Sequence, residues 1–185
     1  MIDSKKKSVM NFITRERVYR FSNECSESAL AKFLYSYFPK RVVDSILASF
    51  EVRIDTRCCY KGYYATVLVF KSKDGKIRDV KMTLFNPDTG MIVRDGDGDA
   101  LIQHTQKQNS HVEYESWPWG DKSYSLAKEL SKGYDLKKQP TLFGMQKINR
   151  AKRIGVVTSA VDAVVMSIID PHCTWLATGH EGKFG

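Results

Sequence analysis

The carboxy-terminal part of the chain alternates between two kinds of apolar segment. Two short apolar runs, IGVVTSA and CTWLATG, flank the apolar segment VDAVVMSII, which has the length of a helix. A strand, a helix and a second strand with so little exposed polarity indicate a βαβ unit with parallel strands. In such folds ligands bind beyond the carboxyl ends of the strands. This predicts a candidate site near residues 158–160 and 178–182.

Two β-rich runs, residues 63–71 and residues 77–85, precede this unit. The pair Asp74-Gly75 between them is a strong signal for a two-residue hairpin turn. The stretch NPDTG at residues 86–90 is a second turn signal, because proline and glycine supply the backbone angles that a turn needs. The sequence therefore predicts an antiparallel meander.

Helical patterns stand on both sides of the meander. Residues 26–38 have apolar side chains at helical spacing, and Ser26 is placed to act as the N-cap. Residues 40–50 repeat the pattern as a second helix. Residues 123–134 predict a further helix with a stop at Gly133, and residues 135–153 predict a basic connector that runs into another helix. The expected fold class is α+β, with two N-terminal helices and an antiparallel β-meander followed by a partial α/β βαβ unit.

The charge of the chain favours a polyanionic partner. The 185 residues carry a net charge of +8, and 42% of them are hydrophobic, which is enough for a core. Residues 128–153 hold eight Lys or Arg against two acidic residues, a local +6, and residues 51–85 hold eight against four, a local +4. Residues 86–125 hold three against seven, a local −4. Two basic segments around an acidic one are typical of a protein that offers a basic surface to nucleic acid, although many basic domains are merely soluble.

The cysteines indicate neither a zinc site nor a disulfide framework. Cys25, Cys58, Cys59 and Cys173 include no C-x-x-C pair, so reduced thiols are expected. The chain has no apolar run of about 18 residues that could span a bilayer and no secretory signal. The expected location is therefore cytoplasmic, without membrane contact.

An alternating acidic stretch resembles the start of a calcium loop. Asp95, Asp97 and Asp99 have the spacing of such a loop, but its twelfth position, where a bidentate Glu is needed, holds Gln106. We interpret the stretch as a solvated turn. No metal site and no cofactor are predicted from the residues.

The order of the segments resembles the catalytic core of bacterial-type primases. The resemblance rests on DGKIRDVKMTLFNPDTG, TLFGMQKINRAKR, IGVVTSAVDAVVMSI and TWLATG, and its most specific parts are residues 142–144, 156–163 and 175–179. It covers residues 24–185 and is most similar to primase-like proteins carried by mobile elements of Bacteroides-type bacteria. The resemblance implies a tail at 1–23, a primase-like basal subdomain at 24–140, and a partial, degenerate Toprim-like unit at 141–185.

The chain departs from that family at the positions that carry its chemistry. The first Toprim strand of the family ends in a Glu that acts in proton transfer, and Thr158 occupies this position. A hydroxyl cannot replace a carboxylate in that role near neutral pH. Asp162 matches a later acidic position, but a single carboxylate on a helix is better explained as a solvated or capping group. The Asp-x-Asp strand has no counterpart up to Gly185, so magnesium is expected only if the chain is part of a longer Toprim protein.

The resemblance and the charge together favour a primase-like nucleic-acid-binding module without catalytic activity of its own, with single-stranded DNA as the natural ligand. A replication protein and a second copy, joined through an exposed strand edge, are further expected partners. The alternatives are a protein-interaction or regulatory remnant of a mobile element, or the N-terminal fragment of a longer active primase. The expected phosphate contacts lie on the meander, where Arg78 and Lys81 are expected on an exposed face of the sheet, and in the basic connector. They are Lys61, Lys76, Arg78, Lys81, Lys137, Lys138, Lys147, Arg150, Lys152 and Arg153.

Overall fold

The computed structural model of the chain has mixed α and β structure. It describes residues 8–93, 101–104, 113–116, 124–125, 130, 134–136, 140–148 and 153–179. The helices are α1 (Arg15–Val18), α2 (Ala29–Tyr35), α3 (Lys40–Ser49) and α4 (Ala160–Ile169). The strands are β1 (Ser8–Met10), β2 (Arg53–Tyr60), β3 (Tyr63–Lys71), β4 (Ile77–Thr83), β5 (Leu101–His104), β6 (Glu113–Ser116), β7 (Tyr124–Ser125), β8 (Tyr134–Leu136), β9 (Arg153–Val157) and β10 (Cys173–Ala177). Within these ranges, no helix has both the length and the apolar character that a membrane crossing requires.

An antiparallel sheet in the order β6-β5-β2-β3-β4-β7 forms the centre of the fold. The predicted hairpin joins β3 to β4, and Gly75 has the positive φ of +78° that its turn requires. The second predicted turn is also confirmed, because Gly90 N–H donates to the carbonyl of Asn86 at 2.8 Å. Both turns are therefore where the sequence predicts them, although five residues and not two separate β3 from β4.

The carboxy-terminal unit is the predicted βαβ unit. Strands β9 and β10 pair in parallel, with Arg153 opposite Cys173, and α4 connects them. Gly155 on β9 leaves room for the indole of Trp175, since a Cβ at this glycine would lie 2.4 Å from the ring. Together with the short N-terminal helices and the meander, this unit confirms the α+β fold class.

The two faces of the sheet are covered differently. Helices α2, α3 and α4 pack on the face that carries Leu68 and Phe70. The opposite face carries Ala65, Val67 and Val69 and packs against the N-terminal segment. Because β3 is buried on both faces, its sequence is almost continuously apolar instead of alternating.

Residues 13–22 lie within the predicted tail and cross the second of these faces. Ile13 forms an isolated bridge with Ile77 on β4, and Ser22 forms one with Ile54 on β2. This segment, which we call the N-terminal strap, therefore spans the three central strands.

The predicted N-cap of the first long helix is wrong by two residues. Residues Cys25–Glu27 form a 3-10 turn, and α2 begins only after it. Ser28 is the N-cap, and its Oγ accepts a hydrogen bond from Ala31 N–H at 3.1 Å. Ser26 and Ser28 both precede an apolar run, so the cap chemistry alone does not separate them.

The helix predicted at residues 123–134, with its stop at Gly133, is wrong at its amino end, whereas Leu130 within it is helical. Tyr124–Ser125 pairs with β4 as an edge strand, and Tyr134–Leu136 pairs in parallel with β1. Pairing with distant strands decides the conformation here over the local pattern. Apart from the buried Leu130, the intervening positions lie outside the residues that the structure describes.

Candidate functional site

The carboxyl ends of β9 and β10 are joined by hydrogen bonds at the predicted site. Thr178 N–H donates to the carbonyl of Val157, and Gly179 N–H donates to that of Thr158, both at 3.0 Å. The Thr178 hydroxyl also donates to the Thr158 carbonyl at 3.2 Å. The two predicted parts of the site are therefore adjacent in space. Residues 180–182 of the prediction lie outside the described ranges.

The side chains at this edge are mainly hydroxyls. Ser159 caps α4 by accepting a hydrogen bond from Val161 N–H at 3.1 Å, and Thr158 is exposed. Asp162 is exposed in the first turn of α4, where a negative charge is favourable. In the part of the chain that the structure describes, no three His, Cys, Asp or Glu side chains form a group that could hold a metal.

Lys81 reaches this edge from the central sheet. Its ammonium donates to the carbonyl of Gly179 at 2.8 Å and lies 5.4 Å from the ring centroid of Phe70. The residue is 6% exposed, so the expectation that Lys81 lies on an exposed face is wrong. Lys81 pairs with Leu68 on the sheet face that the helices cover. A carbonyl and an aromatic ring partly replace the water that the buried ammonium has lost.

Gly179 fits this contact because it has no side chain. Its φ is +75°, in the left-handed region that favours glycine, and a Cβ there would lie 2.8 Å from Phe70 Cε1. The end of β10 therefore comes close enough to the sheet for Lys81 to bind its backbone. Lys81 and Phe70 both connect this edge to the meander.

Two predicted phosphate contacts lie together at the hairpin between β3 and β4. Lys76 forms a 3.0 Å ion pair with Asp74, and Arg78 donates to Ser72 Oγ at 3.2 Å and to the carbonyl of Asn11 at 2.6 Å. The Ser72 hydroxyl and then Lys76 lower the pKa of the Asp74 carboxyl to about 2. The hairpin therefore keeps an ionised Asp beside its two cations.

Lys61 lies at the opposite end of the meander. It occupies the turn between β2 and β3 and forms a 2.7 Å ion pair with Asp88, whose hydrogen bond raises the pKa of the ammonium. The nine residues of β3 separate this turn from the hairpin at Lys76, which is roughly 26 Å at 3.3 Å per step. Lys61 and Lys76 therefore do not belong to one compact site.

The remaining predicted contacts are dispersed or lie outside the described residues. Lys147 Nζ lies 3.5 Å from the ring centroid of Phe50, at the end of α3. Arg153 forms a 3.5 Å ion pair with Asp170, at the amino end of β9. The structure does not describe the other four, which are Lys137, Lys138, Arg150 and Lys152.

Strand β9 presents apolar side chains to solvent. Ile154 is 50% exposed and Val156 is 49% exposed, and both point to the same side because they are two residues apart. Among the strands that the structure describes, β9 pairs only with β10. Within the described strands, β9 therefore has one unpaired edge and two exposed apolar side chains on one face.

Sequence reasoning missed a group of arginines on and beside the N-terminal strap. The stretch RERVYRF contains three arginines and two aromatic residues, which is a readable signal for a stacking surface. Arg15 extends this group to the hairpin, where its Nη2 lies 3.9 Å from the Cβ position of Gly75. The cations at the hairpin are therefore next to a larger basic surface.

Comparisons with known proteins identify the chain by family alone. No curated protein and no solved structure gives a significant match. The family model described as "Domain of unknown function (DUF6371)" matches residues 28–185, which include α2, α3, the central sheet and the βαβ unit. The chain therefore belongs to the DUF6371 family.

Proposed function

We propose that this chain is a primase-like module that binds single-stranded DNA, has no catalytic activity of its own, and works in the cytoplasm in the replication of a mobile element. The observation that carries the proposal is the group of cations at the β3–β4 hairpin, where Lys76 and Arg15 are exposed and Arg78 is half-buried. Lys76 and Arg78 are held there beside Arg15, in a chain with a net charge of +8.

The chemistry of the hairpin suits a phosphate backbone. The ion pair between Lys76 and Asp74 is exposed on both sides, and such pairs are weak and screened by salt. A phosphate therefore competes readily for Lys76. The ammonium also lies 5.9 Å from the ring centroid of Phe12, an exposed aromatic on which a base can stack.

The residues at the Toprim-like edge support the proposal that the chain has no catalytic activity of its own. Thr158 stands where the resemblance puts the family's glutamate, and a hydroxyl cannot replace a carboxylate as general acid or base near neutral pH. The lysine that reaches the edge, Lys81, donates to a backbone carbonyl and is buried. These residues support a scaffold role for the unit.

Binding of a fluorescently labelled oligo-dT strand to the full chain tests the proposal. Anisotropy titrations at several salt concentrations should give a falling log K against log salt, with a slope of about −0.7 for each neutralised phosphate. Lys76→Glu should weaken binding and flatten the slope. Lys32→Glu is the matched control, because Lys32 is exposed on α2, which covers the other face of the sheet.

Two results would reject the proposal. One is the absence of binding at low salt. The other is an equal loss in Lys76→Glu and Lys32→Glu, which would show a response to total charge and no site at the hairpin. Primer synthesis by the purified chain with nucleotides and Mg²⁺ would reject only the statement that it has no catalytic activity.

The exposed apolar edge of β9 favours a second candidate function, which is self-association. The same patch on two copies can pair about a two-fold axis, so that Ile154 and Val156 of each copy cover those of the other. Light scattering should then give a mass near twice 21.1 kDa. Val156→Lys should reduce it to that of one chain, and a monomeric wild type would exclude this candidate.

A further inference from the structure

The N-terminal strap has one apolar side and one basic side. Val18 and Phe21 are buried against the central sheet, and Ile13 joins the same apolar cluster at the edge of β4. Tyr19 and Arg20 are exposed between the two buried side chains. The apolar side fixes the strap to the sheet, so the position of its polar side is set by the fold.

Five arginines lie on or beside this polar side. They are half of the ten arginines of the chain, and with Glu16 and Asp55 they give a local charge of five minus two, or +3. Unlike the ammonium of lysine, the planar guanidinium of arginine can stack on an aromatic ring and bind a phosphate through two parallel N–H groups at the same time. The five, which we call the arginine surface, are Arg15, Arg17, Arg20, Arg53 and Arg57.

Arg53 is held against an exposed aromatic ring. Its guanidinium lies 4.4 Å from the ring centroid of Tyr19, and its Nη1 donates to the carbonyl of Phe21 at 2.9 Å. Tyr19 is 49% exposed, so the ring is accessible while the cation stays beside it. The pair therefore presents a ring and a positive charge together, without losing much side-chain entropy on binding.

A second pair of the same kind lies further along the strap. The guanidinium of Arg17 lies 5.2 Å from the ring centroid of Tyr134 and donates to the carbonyl of Leu130. Tyr134 is 39% exposed. The arginine surface thus carries two accessible tyrosine rings, each with its own fixed guanidinium.

Buried Phe21 lies beside two further arginines of the surface. The guanidiniums of Arg20 and Arg57 lie 4.9 Å and 5.9 Å from its ring centroid. Arg57 also binds the buried Asp55 through two hydrogen bonds, Nε to Oδ1 at 2.9 Å and Nη2 to Oδ2 at 2.6 Å. Arg57 is therefore a fixed cation, and Arg20 is exposed at the outer side of the ring.

We propose that the arginine surface binds single-stranded nucleic acid, with unpaired bases stacked on Tyr19 and Tyr134 and the phosphates bound by the guanidiniums. The inference rests on the proposed function and names a binding surface that the predicted phosphate contacts do not include. Exposed aromatic rings between cations are typical of surfaces that bind unpaired bases, because the bases stack on the rings. An acidic peptide would need the positive charge but not the rings. Arg15 makes the surface continuous with the hairpin of Lys76.

A cycle of protein and ligand variants tests the stacking. The full chain is titrated with oligo-dT, with oligo-rU and with an abasic strand of equal length, for the wild type, Tyr19→Leu and Arg20→Ala. Tyr19→Leu should weaken binding of the strands that carry bases by between about fivefold and a hundredfold, and leave the abasic strand unaffected. Arg20→Ala should weaken all three and reduce the salt slope by about 0.7. The dT and rU arms separate DNA from RNA as the ligand.

The controls separate this inference from the proposed function. Arg41→Ala, exposed on α3, should bind all strands as the wild type does, and thermal melting should show that each variant is folded. If the wild type binds no strand, both proposals fail. If it binds, and Lys76→Glu weakens binding while Tyr19→Leu and Arg20→Ala do not, only the arginine surface is wrong. Equal loss of the dT and abasic strands in Tyr19→Leu would overturn the stacking.

Discussion

The ammonium of Lys81 on β4 donates to the carbonyl of Gly179, which follows β10, at 2.8 Å. The two residues are 98 positions apart, and their hydrogen bond connects the central sheet to the end of the βαβ unit. A hydrogen bond from a charged donor in a buried place is stronger than a neutral one at the surface. This contact therefore helps to hold the two parts of the fold in register.

Lys81→Met should lower the free energy of unfolding by about 1–3 kcal/mol, because the carbonyl of Gly179 loses its donor. Urea unfolding measures the change. Lys73→Met in the exposed hairpin is the matched control and should have little effect. The affinity for single strands should not change in Lys81→Met, because the ammonium is buried. A large loss of affinity in a stable Lys81→Met protein would contradict this role.

Gly179 and Gly62 have similar backbone angles, so substitutions at the two positions distinguish the cost of a left-handed backbone from the cost of steric crowding. Gly179 and Gly62 have φ values of +75° and +82°, but a Cβ at Gly179 meets Phe70 at 2.8 Å and one at Gly62 meets nothing within 4 Å. Gly62→Ala should lower the free energy of unfolding by about 1–2 kcal/mol, because alanine must adopt the left-handed conformation there. Gly179→Ala should lower the free energy of unfolding by about 1–3 kcal/mol more than Gly62→Ala, because the added methyl group clashes with Phe70. Equal losses in urea unfolding would show that Phe70 moves freely aside.

The sequence predicts the elements of this fold better than the directions of their side chains. The Asp74-Gly75 turn and the apolar runs around α4 are local signals, and the structure confirms both. The burial of Lys81 depends on packing between distant parts of the chain, so no local signal predicts it. Both faces of β3 and β4 are covered, so alternation along β4 does not tell which face is exposed.

The arginine surface was harder to predict for a similar reason. The helix α1 has only four residues, which is too short for a helical period to show its inner and outer sides. Arg53 and Arg57 join the surface through the bridge between Ser22 and Ile54, a pairing across 32 positions. The local composition shows that residues 15–21 are basic and aromatic. Only the pairing of the strap with β2 brings Arg53 and Arg57 beside them.

Ser28→Ala should lower the free energy of unfolding by about 1 kcal/mol, because Ser28 Oγ caps α2 by accepting from Ala31 N–H. The same hydroxyl donates to the carbonyl of Cys25 at 2.8 Å in a buried place. Ser26→Ala removes an identical but exposed hydroxyl two residues earlier and should be close to neutral. Chemical denaturation of the pair compares the two positions directly. A larger loss in Ser26→Ala would restore Ser26 as the cap.

The reactivity of the cysteines should follow their burial. Burial raises the pKa of the Cys25 thiol from 9.0 to about 11, and its Sγ donates to the carbonyl of Val52 at 2.7 Å. The thiolate is the reactive form, so at pH 8 its fraction at Cys25 is roughly a hundredfold below that of an ordinary thiol. Cys59, which is half-buried, is the control in the same chain. Mass spectrometry after brief iodoacetamide treatment should find Cys59 modified and Cys25 protected.

The same raised pKa gives the folded state a dependence on alkaline pH. The unfolded chain loses the Cys25 proton near pH 9 and the folded chain near pH 11, so the folded state binds more protons between these values. The stabilisation from Cys25 is therefore complete below pH 9 and declines as the pH rises towards 11. Cys25→Ala removes this dependence, so its unfolding free energy should fall less steeply over that range than that of the wild type. Equal slopes, or equal labelling rates at Cys25 and Cys59, would show that the thiol is accessible in the folded protein.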